Sequence, residues 1–444
     1  MPAVESRRYV SRPLRRAAVF ALLSTLSLTA ARQPWLAVGA FLAIAAAAFV
    51  PTSGTAFELL STAPDREDGR LRTLIAASLT AAALAALIPA FGLPPTVYVT
   101  TMLAIGFGDL GRRLALEYWE SAQAGTAGFG VLGTTAGVAG QAAVTLIGNG
   151  VGLGIVPEFL FLGASAAILG ALLRSVLFAR SDPLVLGLVT VLLWLFADLA
   201  VAVSWVEIAV ALGVSVLFGA LSIQLETASI PGMLTGVFLS LLAVVLGGYG
   251  WFVVLIAFFG IGGLSTKYRY DEKLERGVAE PNRGARGTGN VLGNSLAALI
   301  ALLFFAAHAR MPVPGHTFVL AFAGGVATAL ADTLSSEIGG LYDRPRLITT
   351  LAAVEPGTDG AVTWQGEVAG IAGAAVIGLL GFLLLDISAA GVLIVVLAGL
   401  AGMTADSLAG ATIEGDRIGN QAVNFIATSV GALAGAVLWL VAVA

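Results

Sequence analysis

The sequence has no cysteine, only two histidines and few charges. Each absence removes a class of chemistry. Without cysteine there is no disulfide, no thiolate metal site and no cysteine nucleophile. His308 and His316 both fall near one expected outer loop, which leaves little material for a histidine zinc site or a Ser-His-Asp triad. Charged residues make up 11% of the chain, less than half the ~25% usual in soluble domains. The net charge of -4 argues against a nucleic-acid partner.

Apolar residues fill the space: 58% of the 444 positions, with a mean hydropathy of +0.94. A single soluble core cannot hide this much, because cores stop growing near ~250–300 residues. Lipid must therefore solvate much of the surface, and the bilayer is the first expected partner. The 55 glycines agree, since glycine lets membrane helices approach closely. The expected fold class is all-α, a polytopic transmembrane helix bundle.

A span needs about 20 apolar residues. Fifteen such segments are expected, from 15–32 and 35–59, through 94–108, 316–335 and 388–406, to 420–443. The cluster Arg7, Arg8, Arg12, Arg15 and Arg16 ahead of the first segment has the form of a signal-peptide n-region. The further spans favour a first membrane helix with its N-terminus inside. Counting from there, the basic residues sort by the positive-inside rule. Arg66, Arg70, Arg72, Arg112, Arg113, Arg180, the run Lys267 to Arg286, Arg344, Arg346 and Arg417 all fall in cytoplasmic loops, with Arg310 the exception.

Residues 59–140 and 263–373 share an order of polar punctuation: Ser-Thr, a charged loop, a helix, a Pro-containing turn, a helix ending in Asp, and a Gly-Thr-x-Gly stretch. The helix offset of eight predicts a parallel internal repeat rather than an inverted one. It divides the chain into an N-terminal half, 1–228, and a C-terminal half, 229–444. The first copy lacks the long basic loop and the asparagines. Its Asp109, Arg112 and Arg113 echo Asp332 and the basic pair of the second.

Three constellations in the second half carry candidate chemistry. Residues 329–370 place Asp332 and Glu337 at the expected inner end of a span, then Arg344 and Arg346, then the turn Pro356-Gly357-Thr358-Asp359-Gly360. Carboxylates in membrane helices are costly and mark functional sites. Guanidinium groups suit phosphate oxygens, and a glycine turn ahead of a helix exposes N–H groups to an anion. Residues 402–424 supply Asp406, Asn420 and Asn424; asparagine also serves as interhelical glue. Residues 265–294 supply Arg283, Arg286, Asn290 and Asn294. Their glycines resemble a phosphate cradle, although the Gly-Lys-Ser/Thr of a P-loop is absent. Lys267 to Arg276 read as a solvated loop on an anionic leaflet. Cations for phosphate and acids able to hold Mg²⁺ are the parts of a phosphoryl-transfer site.

Over residues 230–444, the segments STKYRYDEKLERGVAE, RGARGTGNVLGN, ADTLSSEIG, RPRLITTLAAVEPGTDGAVTWQGEVAG, ADSLAGATIE and NQAVNF resemble the membrane protein family that includes plant phytyl-phosphate kinase. More distantly they are similar to CTP-dependent polyprenol kinases, though EPGTDG departs from the Lys-x-x-Glu-Gly form of that pattern. The resemblance implies phosphorylation of an isoprenyl monophosphate to the diphosphate by a nucleoside triphosphate such as CTP, with Mg²⁺. Asp332, Glu337, Arg346, Asp406 and Asn424 would line the site. A secondary transporter with intramembrane acids as coupling sites is the other expectation; acids at helix ends beside arginine favour the enzyme.

Overall fold

The computed structural model describes residues 11–148, 156–178, 181–280, 284–415 and 418–443. The chain forms two compact units, Met1–Ile208 and Ala209–Ala444. The division falls inside a helix and earlier than the boundary expected after residue 228.

Unit 1 contains α1 (Arg12–Ser24), α2 (Pro34–Ala47), α3 (Gly54–Leu60), α4 (Ala63–Asp68), α5 (Arg72–Phe91), α6 (Pro95–Trp119), α7 (Ala122–Gly148), α8 (Val156–Val176) and α9 (Asp182–Leu199). A 3-10 stretch, Thr25–Ala31, extends α1. The expected span 35–59 is broken into α2 and α3, because Pro51 and Gly54, at φ +81°, interrupt the helix. Helix α4 is set by a capping box. Thr62 accepts from the Asp65 amide, and Asp65 accepts from the Thr62 amide at 3.0 Å. Gly69, at φ +63°, ends it. Helices α6 and α7 pack backbone to backbone. A Cβ on Gly111 would collide with the Gly128 carbonyl, and one on Gly128 with that of Gly111.

Helix α10 (Trp205–Gln224) carries the unit boundary. Unit 2 continues with α11 (Ile230–Leu242), α12 (Tyr249–Lys267), α13 (Tyr270–Glu275), α14 (Thr288–Ala306), α15 (Gly315–Gly339), α16 (Trp364–Leu384), α17 (Ala389–Thr412) and α18 (Asn420–Val443). Helix α15 is its axis: 83% of its apolar stretch is buried, against 33% for α16, 39% for α17 and 28% for α18. Between α15 and α16, β1 (Arg346–Leu347) and β2 (Ala361–Val362) pair antiparallel.

Among the described residues thirteen segments are long and apolar enough to cross a membrane. The two other expected spans correspond to α2, at 14 residues, and α6, whose last turns hold Asp109, Arg112, Arg113 and Glu117; neither is among the thirteen. The difference lies at the helix ends. Helix α15 runs to Gly339 rather than 335, and α17 to Thr412 rather than 406. Glu337 is therefore inside its helix rather than past it, and Asp332 and Asp406 lie further from the helix ends than expected. At 1.5 Å per residue, Asp332 lies about 10 Å and Asp406 about 9 Å before the ends of their helices.

Candidate functional site

The site of unit 2 is built on the C-terminal third of α15. Small residues hold that stretch in place. A Cβ on Gly366 of α16 would sit 2.6 Å from the Ser335 carbonyl, and one on Gly370 2.9 Å from that of Ala331. On the other side a Cβ on Gly324 would meet the Gly431 carbonyl of α18 at 2.5 Å. Three backbones thus meet without side chains between them, and the rotation of α15 is fixed. That rotation brings the carboxyl group of Asp332 next to that of Asp406 of α17. Both residues keep some accessible surface. Two carboxyl groups in contact require a proton or a cation between them. The Oδ1 atom of Asp406 is buried and has no partner in the chain.

Arg286 supplies positive charge. Its backbone is pinned as an extra strand residue: its amide donates to Thr227 O at 2.9 Å, and its carbonyl accepts from the Ser229 amide at 3.1 Å. The guanidinium lies over the Phe258 ring at 5.1 Å. Gly262 makes the space, since a Cβ there would be 2.9 Å from Nη2. The guanidinium feels Glu337, Glu280 and Asp332, yet its buried Nη1 is unpartnered. The Asn290 Oδ1 at the start of α14 is likewise buried and unpartnered.

Glu337 lies one turn beyond Asp332 and has a different commitment. It meets Lys273 of α13 at 2.5 Å, and both side chains are nearly sealed, 6% and 1% exposed. Lys273 also donates to the carbonyls of Ser265 at 2.7 Å and Thr266 at 3.3 Å. The expectation that Lys267 to Arg276 form a solvated loop therefore fails at Lys273. Arg276 further ties this segment to α15, donating to Gly340 O at 2.9 Å and Asp343 at 2.8 Å.

Two acids missed in the sequence border the pair. Burial pushes the Glu280 carboxyl above its ordinary range, and Glu337 adds to this, while Arg286 and Lys273 pull it back. Burial also raises Glu414, aided by Asp359 and Asp406. Their residue types carried no special signal. Only the fold brings three carboxylates, Asp406, Glu280 and Glu414, within electrostatic reach of Asp332.

The other expected residues are distributed around this centre. Arg344 and Arg346 are exposed. Arg346 donates to Leu351 O at 2.7 Å, closing its own turn rather than facing the acids. Gly357 and Gly360 adopt φ of +83° and +74°, and the Thr358 hydroxyl donates to Glu355 O at 2.7 Å. Gly360 is also pressed onto α17, where a Cβ would meet Ala411 and the Ser407 carbonyl at 2.5 Å. The Gly-Thr turn is thus a buttress for the helix that carries Asp406. Asn294 is buried and donates to Asn290 O at 2.9 Å. Asn424 is buried where α18 meets Gly293 of α14, and Asn420 is exposed at the start of α18. Arg283 lies outside the described residues. In unit 1 the echo of Asp332 is not a carboxyl pair. Asp109 meets Arg112 at 3.1 Å, Arg174 at 3.4 Å and Arg113 at 4.0 Å.

Among the described residues no three acids or histidines converge on one metal position. Mg²⁺ does not need such a cage. It is held by one or two carboxylates, with waters and substrate phosphate oxygens completing the shell. A carboxyl pair with an unpartnered oxygen, within electrostatic reach of a guanidinium that has an unpartnered nitrogen, fits that arrangement.

Residues 213–432 match the family described as integral membrane protein DUF92. An uncharacterized membrane protein of Methanocaldococcus jannaschii is 40% identical over 196 residues, which is 43% of this chain and 77% of that protein. One from Synechocystis is 35% identical over 189 residues, 41% of this chain and 72% of that protein. The chloroplastic protein VTE6 of Arabidopsis thaliana is 30% identical over 191 residues, 42% of this chain and 57% of that protein. No solved structure matches the chain. With the carboxyl pair, Arg286 and the Lys273–Glu337 bridge all inside the matched region, the chain belongs to the DUF92 family of integral membrane proteins.

Proposed function

We propose that unit 2 transfers a phosphoryl group from a nucleoside triphosphate, CTP being the favoured donor, to an isoprenyl monophosphate. The carboxyl pair Asp332–Asp406, with an unpartnered oxygen on Asp406 and Arg286 within electrostatic reach of Asp332, carries this reading. Similarity to VTE6 and the resemblance to the family that includes phytyl-phosphate kinase support the acceptor class.

In this reading an oxygen of the acceptor monophosphate attacks the terminal phosphorus of the donor. The bond from that phosphorus to the bridging oxygen breaks, releasing nucleoside diphosphate and leaving isoprenyl diphosphate. The attacking oxygen is already anionic, so no general base is required. Bound Mg²⁺ would neutralise phosphate charge and align the donor. Asp332 and Asp406 would hold it, and Arg286 would bind phosphate oxygens through its free nitrogen. Glu337 and Lys273 position α13 and α15 and do not touch the reacting atoms. The polyprenyl chain lies in lipid while the donor enters from the side bearing the charged loops, taken as cytoplasmic.

The test is transfer by the purified chain from terminally labelled CTP, ATP, GTP or UTP to phytyl or geranylgeranyl phosphate. Labelled diphosphate that disappears in Asp332→Asn supports the reading. No product with any donor, together with an ion-coupled flux in vesicles that needs Asp332, would replace it by a transporter.

A further inference from the structure

Arg286 belongs to a loop, just ahead of α14, which begins at Thr288. Arginines near the ends of spans ordinarily turn the guanidinium out toward water. This one turns inward. Its Nη2 lies beside Gly262, five residues before Lys267, the last residue of α12. That is about 7 Å of helix further into the span. The guanidinium lies over the ring of Phe258, one turn deeper again, at 5.1 Å. A charge drawn into a span is costly and marks a function.

Two glycines permit that reach, one at each end of the residue. At the backbone end, residues 227–232 grip the loop. The Arg286 amide donates to Thr227 O, the Ser229 amide donates to Arg286 O, and a Cβ on Gly232 would collide with that same carbonyl. At the guanidinium end, a Cβ on Gly262 would stand 2.9 Å from Nη2 and 3.4 Å from the methyl of Thr333. Thr333 follows Asp332 on α15. The guanidinium therefore fills a slot between α12 and α15 that a side chain at 262 would close. The adjacent Gly263 has no such neighbour: a Cβ there meets only the Thr227 methyl, at 3.9 Å. Glycine weakens a helix interior relative to alanine, and at position 262 it makes room for a charge.

We infer that Gly262 is a positioning residue for phosphoryl transfer, seating Arg286 against α15 so that its unpartnered Nη1 is held for the donor phosphates. This role rests on the reading of unit 2 as a phosphoryl-transfer site. The atom that a methyl at 262 would strike is the tip of a flexible side chain. The fold accommodates alanine there, and the guanidinium moves instead. A small movement suffices, because misplacing a group by about 1 Å costs about a hundredfold in rate.

The test is a double-mutant cycle on the full chain, read as kcat and KM for transfer from CTP, ATP, GTP or UTP to phytyl phosphate, beside the thermal unfolding midpoint. Gly262→Ala should lower kcat/KM about tenfold or more, the loss of one hydrogen bond to a charged group. It should act on the same parameter as Arg286→Lys and leave the midpoint unchanged. Gly263→Ala, the same added methyl one residue along, should leave kcat/KM unchanged. In the Arg286→Lys background, Gly262→Ala should have less than about a twofold further effect, because a lysine places no planar nitrogen in the slot. Equal effects of the two alanines, an undiminished Gly262→Ala effect beside Arg286→Lys, or a Gly262→Ala chain that does not fold overturns the inference while the transferase reading stands. Absence of transfer by the unchanged chain with every donor removes that reading and this role together.

Discussion

Lys273→Met should be among the most destabilising single changes in unit 2. The Lys273 ammonium is 1% exposed and has three acceptors: Glu337 at 2.5 Å and the carbonyls of Ser265 and Thr266. Removing it strands a carboxylate that is 6% exposed. Breaking a buried pair from one side costs about 3–5 kcal/mol. Glu337→Gln, which strands the ammonium instead, should cost a similar amount. The double change Lys273→Met with Glu337→Leu removes both charges. It leaves the Thr266 carbonyl at the end of α12 without its lysine donor, which costs about 1–3 kcal/mol, while Ser265 O still accepts from the Tyr268 amide at 3.2 Å. The double variant should therefore be more stable than either single one. Reversible unfolding in mixed micelles with SDS, followed by helical circular dichroism, gives the complete cycle. Single changes costing under about 1 kcal/mol, or a double variant as unstable as the sum of the singles, would refute the assignment of Glu337 to architecture. The same double variant, if folded, should retain transfer activity, which it could not do if Glu337 handled phosphate.

Glu280 gives a pH signature. Its folded pKa lies above the unfolded value of 4.5, so the native state binds the proton more tightly. Stability should fall as pH rises from about 4.5 through the raised value, and Glu280→Gln should flatten that fall in denaturation curves. Asp65 has the opposite sign. Burial raises its pKa, but hydrogen bonds from Thr62 and Thr73 outweigh this and hold the pKa below its ordinary value of 3.8. Its contribution should persist above that pH and disappear as pH falls through the folded value. Asp65→Ala should cost about 1–3 kcal/mol for each buried donor left alone, read in the same unfolding assay. Gly431→Val should destabilise unit 2 by more than about 2 kcal/mol, because a Cβ there strikes Thr328 and comes within 2.9 Å of the Gly324 carbonyl. Gly130→Ala, where nothing lies near the added methyl, should not.

The number and type of helices could be read from the chain because bilayer length and basic-loop sorting are properties of local sequence. The helix ends could not. The charges at Asp332, Glu337 and Asp406 looked like the edges of spans, yet α15 and α17 continue for about two turns beyond Asp332 and Asp406. What makes this tolerable for Glu337 is Lys273, a residue 64 positions away in sequence. No periodicity reveals such a partner, and the lysine itself sits in a segment that reads as solvated. The carboxyl pair was anticipated as two separate acids, and the fold joins them. Arg286 was anticipated as a phosphate ligand and lies at the centre. Arg344 and Arg346 carried the same signal but are exposed, with Arg346 closing a local turn. A guanidinium near a glycine turn looks alike in sequence whether it faces a substrate or its own backbone.

The central claim is that Asp332 and Asp406 share one divalent cation. Electron paramagnetic resonance of Mn²⁺ with the purified chain and CTP tests it most directly. One bound Mn²⁺ per chain, lost in both Asp332→Asn and Asp406→Asn and retained in Lys273→Met with Glu337→Leu, is the expected result. Mn²⁺ binding unchanged in the two aspartate variants would contradict it.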